Sequence, residues 1–327
     1  MRPLLIAAFA LAMLVAGCNA CKDGGGHGGK PVVVASIFPV YDLVRRVGGD
    51  EVHVELLLQP GRSEHDYNPT AADAKRVAGA KVAFIVGLQL DDWTSKVITA
   101  SGGDTPIVAL GPKCDTQAFE LQVVGEQHEE DEHHEEEEHH EHGDGEGGAG
   151  DDDHDHHHDG EDPHVWLSVP RAIEMVDAIE AELTKAMPDK ASQFAANADK
   201  LRGELRALHE ELLATTKAFS KHSIVTFHGS FGYFASDYGL KIVAVIEPYP
   251  GKEPSAAYLK EVFETLHDRP VGALYTEPQL DPRPAQVLAK EADLPLHELD
   301  PVGGLPGRET YEELMRFNVA ALAESLE

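Results

Sequence analysis

The feature that most limits how this chain can fold is a long polar run in its middle. Residues 126–162 contain ten histidines and nineteen carboxylates, and not one Lys or Arg. A segment of this kind has almost no apolar surface to offset the loss of chain entropy on folding. We therefore expect a disordered insertion here, and the fold has to come from the sequence on either side of it.

The histidines of this run point to a metal. A run that only solvates the surface has no use for imidazole, whereas neutral imidazole and carboxylate are both ligands for zinc. The run can therefore hold metal ions weakly at many alternative positions. Its candidate ligands are His128, His133, His134, His139, His140, His142, His154, His156, His157 and His158.

Length and charge narrow the class of protein further. The chain has 327 residues, a length for which two domains are the natural expectation. Its formal net charge is −31, and the polar run supplies nineteen of the negative charges. A surface of this sign repels nucleic-acid phosphates and attracts cations, so we discount a nucleic-acid partner.

The N-terminus has the features of an export signal. Arg2 precedes an apolar stretch that is too short to cross a bilayer comfortably. The stretch ends in Val-Ala-Gly-Cys, which resembles a bacterial lipobox, so residues 1–18 are expected to be a signal peptide whose Cys18 is lipidated. The alternative is an ordinary signal peptide with a chance cysteine. Residues 19–30 predict a flexible tether, and we expect a membrane-anchored extracytoplasmic protein, periplasmic or at the cell surface.

From Pro31 onward, short apolar strands alternate with helices, a pattern typical of parallel α/β sheets. The alternation occupies residues 31–169, around the polar run, and returns over residues 222–327. Between them, residues 170–221 predict helices, one of them long and marked by a single apolar stripe. The sequence therefore predicts two Rossmann-like α/β lobes with parallel sheets, joined by one long connecting helix.

Four candidate ligands lie in loops at predicted strand ends or beside the polar run, two in each half. They are His65, His164, His228 and Asp300. Ligands of parallel α/β sheets bind beyond the carboxyl ends of the strands, so a cleft between two lobes would bring the four together. Three neutral imidazoles and one carboxylate make a satisfactory tetrahedral shell for Zn²⁺.

Five strings of residues carry a family resemblance: GRSEHDYNPT, DPHVWLSVP, TFHGSFGYFA, YTEPQ and ELDPVGG. Together they resemble the zinc-type solute-binding lipoproteins of bacterial ABC transporters, the metal-binding cluster A-I group, from about Pro31 to the C-terminus. The resemblance implies ligands at His65, His164 and His228, with Asp300 as the fourth ligand or a near neighbour. It also implies that Glu277 lies close to the site, where a carboxylate can fix which imidazole nitrogen faces the metal.

The resemblance further implies zinc as the cargo. Manganese members of this group usually carry a carboxylate where this chain has His228, and nitrogen ligands suit Zn²⁺ better than Mn²⁺. The chain departs from many relatives at Gly229 and Ser230, where those relatives have an acidic residue and an alanine. We expect a monomeric, non-catalytic receptor that captures zinc and delivers it to a membrane permease powered by a cytoplasmic ATPase.

Alternatives stay open at this point. Within the same family the cargo could be manganese or iron, and the receptor could also serve in cell adhesion. The polar run alone could act as a zinc buffer with the α/β body as its scaffold. A zinc hydrolase is a weaker candidate, because the sequence contains no H-E-x-x-H, G-x-S-x-G or P-loop motif.

Overall fold

The computed structural model describes residues 29–119, 160–269 and 271–327. The expected signal peptide with Cys18, nearly all of the tether, and the ten histidines of the polar run lie outside the described residues. Among the described helices, none combines the length and apolar character needed to cross a lipid bilayer.

The first half of the chain forms a four-stranded parallel sheet in the spatial order β2-β1-β3-β4. Its strands are β1 (Val32–Ala35), β2 (His53–Leu56), β3 (Ala83–Ile85) and β4 (Ile107–Ala109). The helices between them are α1 (Phe38–Gly48), α2 (Ala71–Val77) and α3 (Trp93–Ala100). Because all four strands run in the same direction, their carboxyl ends meet at one edge of the sheet.

Two helices follow the first sheet. Ser168 caps the first of them, α4 (Val169–Ala186), by accepting a hydrogen bond from the backbone NH of Arg171. Pro188 cannot continue a helix and marks the break before α5 (Ala191–Thr216). With 26 residues, α5 is roughly 39 Å long at the usual helical rise. Six residues of the apolar stripe that the sequence predicts are buried: Phe194, Ala198, Leu201, Leu205, Leu208 and Leu212. The seventh, Leu213, is partly buried and packs against the same core.

The second sheet repeats the strand order of the first, as β6-β5-β7-β8, and is also parallel. Its strands are β5 (Ser223–Thr226), β6 (Lys241–Val245), β7 (Leu274–Thr276) and β8 (Leu296–Glu298). Its helices are α6 (Gly232–Asp237), α7 (Ala256–Asp268), α8 (Arg283–Ala292) and α9 (Tyr311–Leu326). The predicted architecture of two parallel α/β lobes with a long connecting helix is therefore confirmed.

The two lobes share a hydrophobic core through α5. This helix packs against α1, α4 and α9. Val34 of the first sheet, Leu205 of α5 and Leu322 of α9 belong to one continuous buried cluster. Wide separation of the lobes would expose this cluster to water, so the fold favours small relative movements. The lobe boundaries predicted at residues 169 and 222 stay predictions.

We expect the buried stripe of α5 to carry much of the stability of the fold. Leu205 is 0% exposed, so Leu205→Ala should lower the free energy of unfolding by about 2–5 kcal/mol. Glu210→Ala on the exposed side of the same helix is the control and should change it by less than about 0.5 kcal/mol. Urea unfolding of the metal-free protein measures both. Equal losses in the two variants would contradict a packing role for this face of α5.

Candidate metal centre

The loop after β2 presents two neighbouring side chains to the interior. The indole NH of Trp93 donates a hydrogen bond of 3.2 Å to the carbonyl oxygen of Glu64, and the backbone NH of His65 donates one of 3.3 Å to Ser63 Oγ. These bonds fix the backbone of the loop at the carboxyl edge of the first sheet. As a result the Glu64 side chain is buried, although carboxylates usually remain in water.

His164 lies between the polar run and α4, and a nearby carboxylate orients its ring. Its backbone NH donates to Asp162 Oδ1 at 2.9 Å, and its ring Nδ1 lies 2.8 Å from the same oxygen. Asp162 is itself held from the second lobe, because the Tyr233 hydroxyl donates to its carbonyl oxygen at 2.9 Å. A carboxylate at Nδ1 keeps the proton on that nitrogen and leaves the lone pair of Nε2 for a metal.

His228 lies two residues beyond the end of β5 and has the same arrangement. Its ring Nδ1 lies 2.6 Å from Glu277 Oε2, and its backbone NH donates to Glu277 Oε1 at 3.3 Å. Glu277 follows β7, the strand beside β5, so the bond joins two adjacent strand ends of the second sheet. The structure thus places Glu277 directly behind His228, with the ring between this carboxylate and the cleft.

The three histidines meet between the two lobes. The ring centroids of His65, His164 and His228 are 5.3–5.6 Å apart in every pair. Glu64 completes the group, and one ligand atom from each of the four residues lies within 4.8 Å of the others. Small side-chain movements from these separations bring all four atoms to one ion at ligand distances of about 2.0–2.2 Å.

The chemistry of these side chains fits a cation at the centre. His228 Nε2 and Glu64 Oε1 are buried, and neither makes a hydrogen bond to any residue that the structure describes. Buried polar atoms in native proteins nearly always have a partner. A divalent ion would satisfy both atoms at once, and three imidazoles with one carboxylate form an established zinc donor set.

Burial also changes the protonation of the group. It raises the pKa of Glu64 to about 7, and the positive charge of His228 offsets only part of this effect. Burial alone would lower the pKa of His228, but the carboxylates of Glu277 and Glu64 outweigh it and raise that pKa above its ordinary value. Protons and a metal ion therefore compete for the same atoms near neutral pH.

Asp300 is not among the four residues that the structure brings together. It is fully buried in the loop after β8, where its Oδ1 accepts a hydrogen bond of 2.7 Å from Gln279 Nε2. Its Oδ2 accepts one of 3.0 Å from the guanidinium of Arg308. Glu64 is the carboxylate that groups with the three histidines, and the ligand role of Asp300 stays a prediction.

The sequence does not identify three residues in or beside this centre: Glu64, which groups with the histidines, Asp162, which contacts His164, and Arg308, which contacts Asp300. The first two lie within two positions of a predicted histidine ligand, and this proximity is the signal that could have found them. Arg308 gives no such signal, because it follows Asp300 by eight residues in a loop of irregular structure.

Fold and site together define a class of protein: a two-lobed α/β binding protein with a metal centre of histidines and a carboxylate between its lobes. A profile of the ZnuA family, described as zinc-uptake complex component A periplasmic, matches residues 33–325. The chain belongs to this family.

Relatives and solved structures agree with this assignment. The chain is 32% identical to the zinc-binding lipoprotein AdcA of Streptococcus pneumoniae over 98% of its own length, and it spans 60% of the length of that protein. It is 29% identical to the high-affinity zinc uptake system protein ZnuA of Bacillus subtilis, covering 96% of this chain and 94% of the relative.

The solved structures show the same fold. The Zn(II)-bound ZnuA-like domain of Streptococcus pneumoniae AdcA superposes with a TM-score of 0.66 at 27% identity, over 91% of this chain and 99% of that domain. A crystal structure of ZnuA superposes with a TM-score of 0.74 at 22% identity, over 91% of this chain and 100% of that one, a likeness of fold.

The contact between Glu277 and His228 predicts the titration of this ring. In Glu277→Gln the negative charge is removed while the burial remains, so the pKa of His228 should fall. NMR titration of the metal-free protein measures this pKa. The matched control is Glu324→Gln, because Glu324 lies 3.0 Å from the ring of a different histidine, His297. An unchanged pKa of His228 in Glu277→Gln would contradict the assigned electrostatics.

Proposed function

We propose that this chain is an extracytoplasmic receptor that binds one Zn²⁺ between its lobes and delivers it to an ABC-type permease for import. One observation carries the proposal: the ligand atoms of Glu64, His65, His164 and His228 converge to within 4.8 Å. Membership in a zinc-uptake family supports zinc as cargo, and so does the similarity to the zinc-binding lipoprotein AdcA and the zinc uptake protein ZnuA.

The donor set favours zinc over the alternative cargoes. Three imidazole nitrogens with one carboxylate suit Zn²⁺, whereas Mn²⁺ prefers a shell richer in oxygen. The carboxylates behind His164 and His228 strengthen this preference, because they fix the metal-facing nitrogen and raise its basicity. The proposed role is capture and delivery of the ion, with no chemical step.

The expected partners follow from this role. A lipid on Cys18 would hold the receptor at the membrane, near the permease and its cytoplasmic ATPase. The loops after β2 and β5 would move slightly apart on docking and release the ion. The weak metal binding expected of the polar run, and its part in gathering zinc, stay predictions, because its histidines lie outside the described residues.

Loss of a histidine ligand should abolish tight zinc binding. His164→Ala or His228→Ala should weaken the affinity by more than the roughly 10–100-fold that loss of an outer hydrogen-bond partner usually causes. His209→Ala is the matched control, because this half-buried histidine of α5 contacts the Tyr238 hydroxyl at 3.2 Å, away from the centre. Competition titration of metal-free protein against a zinc chelator measures the three affinities. Tight one-to-one binding that persists in His164→Ala and His228→Ala would contradict the proposal.

Zinc affinity should decrease as the pH falls below about 7, since the pKa of Glu64 is raised to about 7 and that of His228 lies above its ordinary value. A protonated group cannot bind the ion, so below its pKa each group reduces the apparent affinity by up to about tenfold per pH unit. Chelator competition at a series of pH values measures the slope. Glu64→Gln removes one titrating ligand and should make the slope shallower. An affinity independent of pH would contradict this account.

A further inference from the structure

The loop after β8 lies beside the metal centre. Trp166, two residues after His164, donates its indole NH to the carbonyl oxygen of Pro301 at 2.6 Å. The rings of His164 and Trp166 are 5.4 Å apart. Asp300, the neighbour of Pro301, therefore belongs to a loop that reaches the segment carrying His164. Its negative charge also contributes to the raised pKa of Glu64.

Both oxygens of the Asp300 carboxylate accept hydrogen bonds from other groups of the protein. Its Oδ1 accepts hydrogen bonds from Gln279 Nε2 at 2.7 Å and from the backbone NH groups of Val302 at 3.0 Å and Gly303 at 2.9 Å. Its Oδ2 accepts the bond from Arg308 at 3.0 Å. A buried carboxylate with four donors, one of them a guanidinium, has its charge compensated without a metal.

Arg308 is held in place as firmly as the carboxylate it contacts. It donates to Glu298 Oε1 at 2.8 Å, and its guanidinium lies over the ring of Phe317 at 4.0 Å from the centroid. Its backbone NH bonds to Leu305 O, and its carbonyl accepts from the NH of Gly304, each at 2.8 Å. The main-chain bonds fix the backbone of Arg308, and the contacts with Glu298 and Phe317 restrain its guanidinium beside Asp300.

We propose that Arg308 is a specificity-determining residue, which occupies Asp300 Oδ2 and keeps this carboxylate off the metal. The inference rests on the proposed zinc-receptor function. When Asp300 is kept off the metal, the ligands of the ion are three imidazoles and the single carboxylate of Glu64. A second carboxylate would raise the coordination number and add a hard oxygen donor, and both changes favour Mn²⁺ relative to Zn²⁺.

Charge balance explains why the arginine is decisive. Without its guanidinium, Asp300 would be a buried carboxylate deprived of the cation that compensates it, which is a costly state. A divalent ion in the neighbouring centre would then be an alternative partner for this carboxylate. Removal of the Arg308 charge should therefore redirect Asp300 toward the metal.

The test compares Arg308→Met with the wild-type protein, using Zn²⁺ and Mn²⁺ in competition and Co²⁺ as a spectroscopic probe. The Zn²⁺:Mn²⁺ affinity ratio should fall on the order of tenfold, the scale on which outer contacts tune metal sites. The visible absorption of bound Co²⁺ should weaken, because coordination above four reduces its intensity. Arg308→Lys keeps the charge and should keep the wild-type ratio. Arg283→Met removes an exposed arginine that pairs with Asp281, and it should change neither readout.

Two further variants make the result decisive. In Asp300→Asn with Arg308→Met, the carboxylate is absent and the wild-type ratio should return. Asp300→Asn alone should keep the wild-type cobalt spectrum, and this test holds even where Arg308→Met fails to fold. A folded Arg308→Met protein with unchanged ratio and spectrum overturns the inference, as does the same shift in the double variant. A wild-type protein that binds no zinc would instead overturn the proposed function.

Discussion

The hydrogen bond between a histidine Nδ1 atom and a buried carboxylate is the interaction on which the centre depends. It occurs twice, between His164 and Asp162 at 2.8 Å and between His228 and Glu277 at 2.6 Å. In each case the carboxylate also accepts the backbone NH of the same histidine, so ring and main chain are fixed together. A neutral ring held in this way presents Nε2 to the cleft in one orientation, and the ion meets a preformed site.

These pairs are placed by contacts that cross from one lobe to the other. The Tyr233 hydroxyl of α6 bonds to the carbonyl of Asp162, and the Tyr311 hydroxyl of α9 donates to the carbonyl of Trp166 at 2.6 Å. Trp166 in turn reaches Pro301 in the loop after β8. The segment that carries His164 is therefore bonded to the second lobe at three points. The geometry of the site depends on the same shared core that limits wide movements of the lobes.

Much of this arrangement could be predicted from the sequence, because strand ends in a parallel sheet converge by topology. His65 and His228 follow predicted strands, and both reach the cleft. The fourth member of the group, Glu64, could not be predicted in this way. Glu64 and His65 are neighbours, and only the hydrogen bonds of the loop determine that both side chains turn inward. Asp300 also follows a predicted strand, but its partner Arg308 comes from an irregular loop, and no periodic pattern in the sequence predicts the path of such a loop.

The division of ligands between the lobes determines how the centre can open. The sequence predicts two ligands from each lobe, whereas the side chains that converge in the structure are Glu64, His65 and His164 of the first half and His228 of the second. A small displacement of the strand ends of β5 and β7 would move His228 together with Glu277, since the two are bonded to each other. A bound ion would then lose the nitrogen of His228 and keep two imidazoles and the carboxylate of Glu64. This one movement would weaken the binding of the ion, and it would leave the hydrophobic core that the two lobes share intact.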